Sequence, residues 1–220
     1  MKKRKLYVVN GGAHDAKWIL PLGFELTNNI DEAELVLGTG GSDWSPKYYG
    51  EQEHPFVSTN PSRDIYEFEL FNQVIKKGIP FVGVCRSSQG ASVLSGGKLV
   101  QHMRHPVYHY IKTFDGQEFD LISTHHNLQW PFNLPPDDYK IIGWAENLSP
   151  YHEGGDQEEM DTPVEPEIVY YKKTNMLGIQ THPECMLLDD PAVIYCQNLV
   201  NKLIEGSLTD YCFDRAIIAV

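Results

Sequence analysis

The 220-residue sequence predicts an α/β fold: a mainly parallel central sheet with helices on both faces, plus a small antiparallel section. Three observations predict it. Short apolar runs alternate with segments of helical period in the first half of the chain. Several of those runs end directly in glycine, as strands entering a turn do. Later, residues 107–122 alternate about the turn pair Asp115-Gly116, which suits an antiparallel hairpin.

Residues 6–10 form the first β-rich run, closed by Gly11-Gly12, and residues 15–20 are expected as a short helix. Residues 24–27 and 35–37 read as the next strands, the second followed by Gly38-Thr39-Gly40-Gly41-Ser42-Asp43. Ser62 is the expected cap of a helix whose Ile65, Phe68, Phe71, Val74 and Ile75 share helical spacing. Asp64 in its first turn, Lys76 and Lys77 in its last and Gly78 beyond its end suit the helix dipole and a glycine stop. Residues 81–84 make a strand and residues 87–94 a helix, stopped by Gly96-Gly97. Residues 140–144, 167–171 and 177–180 read as further strands, and Pro191 opens a last long helix that runs to Gly206. The acidic, Gly- and Pro-containing segment 149–166 is expected as a mobile surface insertion in an otherwise single domain covering 1–220.

Composition narrows the function. Lys and Arg total 18 against 30 Asp and Glu, a formal charge of -12, which disfavours nucleic acid and anionic membrane as partners. The apolar run after the basic start, residues 6–9, is shorter than the ~7–15 residues of a signal peptide or the ~20 of a spanning helix. Cysteines 85, 185, 196 and 212 form no Cys-x-x-Cys pair, so reduced thiols in a cytoplasmic protein are expected, with all but Cys85 serving as packing residues. Trp18, Trp44, Trp130 and Trp144 are expected as core or loop anchors. His102, His105 and His109 have helix-compatible spacing, but Pro106 interrupts it and no metal site is expected; nothing calls for a cofactor.

The chemistry concentrates at two strand ends. Gly83-Val84-Cys85-Arg86 closes an apolar run and opens a helix, the arrangement that lifts a nucleophile above a sheet. An ordinary thiol, with a pKa near 8.5, is mostly protonated at neutral pH; a helix N-terminus and an imidazole both favour the thiolate. Gly178-Ile179-Gln180-Thr181-His182-Pro183-Glu184 offers that imidazole and a carboxylate to orient it. Alternation alone does not bring Glu184 to the ring, so Pro183 must hold a bend between them. The product is a triad in chain order Cys85, His182, Glu184. Oxyanion donors are expected from the Arg86 amide and from the glycine loop at Gly41, where no Cβ obstructs approach.

These residues resemble a known family. Gly83-Val84-Cys85-Arg86-x-x-Gln89, Gly96-Gly97-x-Leu99-x-Gln101-His102, His125-His126 and Gly178-x-Gln180-x-His182-Pro183-Glu184 are similar to the class I glutamine amidotransferases. The resemblance covers roughly residues 35–205 and is strongest to the branch of γ-glutamyl hydrolases and the γ-glutamyl-GABA hydrolase, whose oxyanion loop residues 37–48 resemble. It implies a flavodoxin-like fold. It also implies attack by Cys85 on the γ-carboxamide of glutamine or on a γ-glutamyl amide, through a glutamyl thioester. His182 acts as base and then acid, Glu184 orients it, and Gln89 with His125 and His126 holds the glutamyl end. Two positions depart from the family: Ser87 stands where a glycine is usual, and Thr181 where an aromatic is usual.

Three functions follow. The first is a glutaminase subunit that supplies ammonia to a separate synthetase, since the chain shows no P-loop of its own. The second is a stand-alone γ-glutamyl hydrolase or peptidase. The third, a noncatalytic regulatory relative, draws support only from Ser87 and is opposed by the intact Cys85, His182 and Glu184.

Overall fold

Strand β1, Arg4–Val9, runs beside β2, Phe24–Thr27, and β3, Leu35–Gly38. The computed structural model describes residues 2–103, 107–146 and 164–213. Helix α1, Pro61–Lys77, leads into β4, Phe81–Val84, and helix α2, Arg86–Leu94. Short strands β5, Lys98–Val100, and β8, Leu128–Trp130, pair antiparallel apart from the main sheet. Between them lie β6, Tyr108–Thr113, and β7, Glu118–Ile122, the hairpin expected around Asp115-Gly116. The chain continues through β9, Tyr139–Ala145, β10, Glu165–Tyr171, β11, Met176–Ile179, and helices α3, Pro191–Ile204, and α4, Leu208–Phe213.

The nine-stranded sheet has the order β2-β1-β3-β4-β11-β10-β9-β6-β7. From β2 to β11 neighbouring strands are parallel, and from β11 to β7 they are antiparallel. The parallel part is thus a 2-1-3-4-5 sheet, the order of the flavodoxin-like doubly wound fold. The antiparallel section extends one edge of that same sheet.

Side chains alternate across the strands and build one apolar layer on each face. Leu35, Leu37, Val82 and Val84 face the layer with Val193, Cys196, Leu199 and Val200 of α3. Val36 and Phe81 face the opposite layer, with Leu70, Phe71 and Val74 of α1 and Ala91 of α2. Period-2 strands over period-3.6 helices fix which helix covers which face. All four tryptophans are buried, with Trp18 and Trp44 fully so.

Several local expectations are corrected. Residues 15–20 form turns that end in a 3-10 turn at Leu20–Leu22, so no α-helix forms there. The cap of α1 is Asn60, whose side chain accepts the Arg63 N–H at 3.1 Å; Pro61, needing no partner for an N–H, takes the first helical position ahead of Ser62. Strands β5 and β8 and helix α4 were not anticipated. The expected insertion lies outside the described residues except at its end, where Val164, Glu165 and Pro166 are buried and β10 pairs with Trp144 and Ala145. No described helix is long and apolar enough to cross a membrane.

Candidate functional site

Strand β4 delivers Cys85 to the carboxyl edge of the sheet. Its amide donates to the Ile179 carbonyl of β11 at 2.9 Å, and the chain then turns sharply, with Cys85 at φ +49° and ψ −108° capping α2. Such a φ is uncommon outside glycine, so neighbouring contacts must hold it. Gly83 makes the turn sterically feasible: a Cβ there would lie 2.3 Å from the Ser87 carbonyl oxygen. Ser87 itself fits because the strand opposite carries Gly38, where a Cβ would fall 2.5 Å from both Ser87 Cβ and Oγ. The Ser87 hydroxyl donates to the Thr39 carbonyl at 2.8 Å.

His182 follows β11, on the neighbouring strand. Its Nδ1 lies 2.7 Å from Glu184 Oε1, and its Nε2 lies 2.8 Å from Thr124 Oγ1. A 3-10 turn over Pro183–Cys185 supplies the bend that brings Glu184 back to the ring. Burial, the largest single influence on His182, opposes its positive charge. Hydrogen bonds and charge attraction from Cys85 and Glu184 outweigh it and push the imidazole pKa up to about 10. These contacts favour the imidazolium form of the ring.

The glycine loop closes over this pair. A Cβ on Gly40 would lie 3.2 Å from His182 Cε1, a tight contact, and 3.9 Å from Cys85 Sγ, so the loop backbone runs directly over the pair. Gly41 has φ +155°, and a Cβ there would lie 2.1 Å from Arg63 Nη1. Arg63 in turn donates from Nη2 to the Gly40 carbonyl at 2.9 Å.

The loop's other anchor is the fully buried Arg86 side chain. It donates to the Ser42 carbonyl at 2.5 Å and the Asp43 carbonyl at 2.9 Å, and stacks over Trp44 at 4.8 Å. Its remaining donors meet Asp64 Oδ1 at 2.7 Å and Glu67 Oε2 at 2.8 Å, two buried carboxylates of α1. Glu67 also binds Arg63 Nε at 2.6 Å and Asn10 Nδ2 at 2.7 Å. Two guanidinium groups and two carboxylates thus balance in charge while tying α1, the elbow and the glycine loop together.

Cys85, His182, Gln89, Gly41, His125 and His126 all line one cavity of about 340 Å³, together with Thr124 and Ser42. Gln89 is buried; its Nε2 donates to the Asn127 carbonyl at 2.8 Å, and its Oε1 has no partner among the described residues. His125 is held by Ser123 at 3.0 Å. His126 bonds Asp43 through Nε2 at 2.7 Å, and that carboxylate raises the imidazole pKa despite partial burial. Arg86 is the first residue of α2, so its N–H belongs to the amides that a helix start leaves without an intrahelical partner.

Of the residues expected at the site, Glu184 lies behind His182 and the others line the cavity or adjoin Cys85 in the chain. Sequence reasoning missed Thr124 and the partners of the Arg86 side chain; His109, one of the three spaced histidines, is buried with its nitrogens 3.0 and 3.3 Å from Glu167 and Glu165. Both imidazole nitrogens of His109 face carboxylates, whereas His102 stacks on His54. Cys185, expected as a packing residue, is exposed beside Glu184, whereas Cys196 and Cys212 are buried; all four cysteines are free thiols.

A family model described as Peptidase C26 matches residues 18–131. A Mycobacterium tuberculosis protein whose name places it among glutamine amidotransferases is 37% identical over 75 residues, 34% of this chain but only 24% of that protein's length. Protein NtpR of Enterococcus hirae is 28% identical over 177 residues, covering 76% of this chain and 74% of its own. The crystal structure of a glutamine amidotransferase from Thermotoga maritima superposes with a TM-score of 0.55 at 15% identity, over 97% of this chain and 90% of that one. At that identity the likeness shows the fold alone.

Proposed function

The chain belongs to the peptidase C26 family of class I glutamine amidotransferase-like proteins, and on that premise we propose that it hydrolyses a γ-glutamyl amide bond with Cys85 as nucleophile. The observation that carries this reading is the shared cavity: a cysteine held at an elbow with φ +49° opens onto the same space as an imidazole paired with Glu184.

The Cys85 sulfur attacks the γ-carbonyl carbon, and the resulting oxyanion accepts from the amides of Arg86 and Gly41. The imidazolium of His182 gives its proton to the departing nitrogen as the C–N bond breaks, leaving a glutamyl thioester. Water then attacks the thioester carbon, His182 takes a water proton, and glutamate leaves as the C–S bond breaks. Glu184 keeps the ring oriented throughout. Gln89 Oε1, a buried acceptor without a partner among the described residues, binds an N–H of the glutamyl group beside His125 and His126.

In the first reading the substrate is free glutamine, and the ammonia goes to a separate synthetase subunit. The protein then works in the cytoplasm, without a cofactor. The second reading, favoured by the match to Peptidase C26, is a stand-alone hydrolase that releases an amine. Glutamate release from glutamine and from a γ-glutamyl amide, measured on the purified chain with and without Cys85→Ala, tests the common chemistry. Release that survives Cys85→Ala overturns it. Amide hydrolysis faster than glutamine hydrolysis, with no partner present, selects the second reading.

A further inference from the structure

Next to His126, which lines the cavity, stand three rings that have no part in the amide chemistry. His102 stacks on His54 with centroids 4.6 Å apart and planes 22° apart, and on Phe56 at 4.9 Å and 25°. The edge of His102 meets His126, a cavity-lining residue, at 5.9 Å. Phe56 is 65% exposed, so one face of its ring is open to a ligand.

This shelf is built rather than incidental. The Gln101 carboxamide accepts the His54 N–H at 3.1 Å and donates to the Gln52 carbonyl at 2.9 Å, locking the 52–56 segment onto β5 and its exit. His102 adopts φ +59°, a conformation most side chains avoid, and its N–H donates to Asn127 Oδ1 at 3.0 Å. His54 Nδ1 accepts the Phe56 N–H at 3.3 Å. The Asp43–His126 pair, both residues lining the cavity, adjoins the shelf through the His126 ring.

We propose that Phe56, His54 and His102 form a leaving-group subsite that binds the amine half of a γ-glutamyl amide whose amine carries a planar aromatic ring. The proposal rests on the second reading above and names its substrate class. A cavity of about 340 Å³ is near the lower end of ligand pockets, which run from about 300 to 1,000 Å³. With the acyl half at Cys85 and Gln89, an aryl-bearing amine extends beyond His126, where the exposed Phe56 ring offers offset stacking. Ammonia from glutamine would leave it unused. In the reaction the amine departs with the His182 proton as its C–N bond breaks; the shelf makes and breaks no covalent bond.

The test compares kcat/KM for γ-glutamylbenzylamide and γ-glutamylmethylamide. Stacking of this kind predicts that the benzylamide is favoured by about two- to twelvefold. Phe56→Ala should bring the ratio close to one without slowing the methylamide, which also shows that the variant is folded; Phe56→Tyr should restore the preference. Equal values in the wild type, or a ratio untouched by both Phe56→Ala and His54→Ala, overturn the subsite and leave the amide chemistry standing. Turnover of glutamine alone overturns the subsite and the second reading together. No turnover of any of the three overturns the cysteine mechanism as well.

Discussion

His182 Nδ1 and Glu184 Oε1 lie 2.7 Å apart with a single residue, Pro183, between them in the chain. An extended segment would put both side chains on one side without letting them meet. The 3-10 turn beginning at Pro183 closes the gap, while Thr124 holds the other ring nitrogen at 2.8 Å. A ring fixed at both nitrogens keeps its place when one contact is lost. His182→Ala should therefore lower kcat by about 10²–10⁴-fold, the usual contribution of a positioned acid–base group. Glu184→Gln, which spares the ring and its Thr124 contact, should lose less. Steady-state kinetics on both variants check the order, and a larger loss in Glu184→Gln would contradict it.

The same ring links stability to pH. Its folded pKa is raised from 6.5 to about 10, against the opposing effect of burial, by Cys85 and Glu184. A raised pKa means that the folded state holds the proton more tightly than the unfolded chain. The stabilisation is complete below pH 6.5 and is lost as pH rises towards 10. Thermal unfolding of the wild type and His182→Ala should show a gap in Tm that shrinks steadily over that window. A gap that widens with pH would mean that the imidazole is held neutral.

Ser87 and Gly38 form a complementary pair across the elbow. Gly38→Ala would place a methyl 2.5 Å from the Ser87 side chain and 2.7 Å from Phe81 Cζ. Overpacking of this kind costs about 1–3 kcal/mol. Ser87→Gly removes one of the two clashes but forfeits the hydrogen bond to the Thr39 carbonyl. The double variant should be more stable than the sum of the two single losses predicts, as denaturant unfolding of all three will show. Strict additivity would mean that Ser87 does not depend on the missing Cβ.

Arg86 should matter to stability more than any exposed ion pair. Arg86→Met leaves Asp64 and Glu67 buried without their shared partner, although Glu67 keeps Arg63 and Asn10. Losing one member of a buried charge network costs about 3–5 kcal/mol, well above the loss of a solvent-screened surface pair such as Lys5–Glu25. Urea unfolding of Arg86→Met and Glu25→Gln compares them; similar losses would show that the network is not energetically special.

The parallel strands were legible because apolar runs ending in glycine leave a local trace, and so were Cys85 and His182 at their ends. Helix α1 was legible from its spacing, though its start was displaced two residues by Pro61, which prefers the first helical position. Residues 15–20 show the limit: their composition tolerates a helix, but the backbone turns tightly so that Trp18 and Ile19 are fully buried. What stayed hidden depends on contacts between distant segments. Arg86 was visible as the residue after a nucleophile, whereas its bonds to Ser42, Asp43, Asp64 and Glu67 span roughly 19 to 44 positions of sequence. Thr124 gave no local signal, since a threonine between Ser123 and His125 is an ordinary polar residue until β11 is laid beside it. The fit of Ser87 was equally out of reach, because the space it uses is an absence on another strand.

The most direct test of the cysteine mechanism is mass spectrometry after reaction with a glutamine-like electrophile, with and without excess glutamine as protectant. Label should appear on Cys85, fall when glutamine is present and vanish in Cys85→Ala. The exposed Cys185 serves as an internal control, because its modification should not respond to glutamine. Glutamine-sensitive label on Cys185, Cys196 or Cys212 with Cys85 untouched would contradict the account.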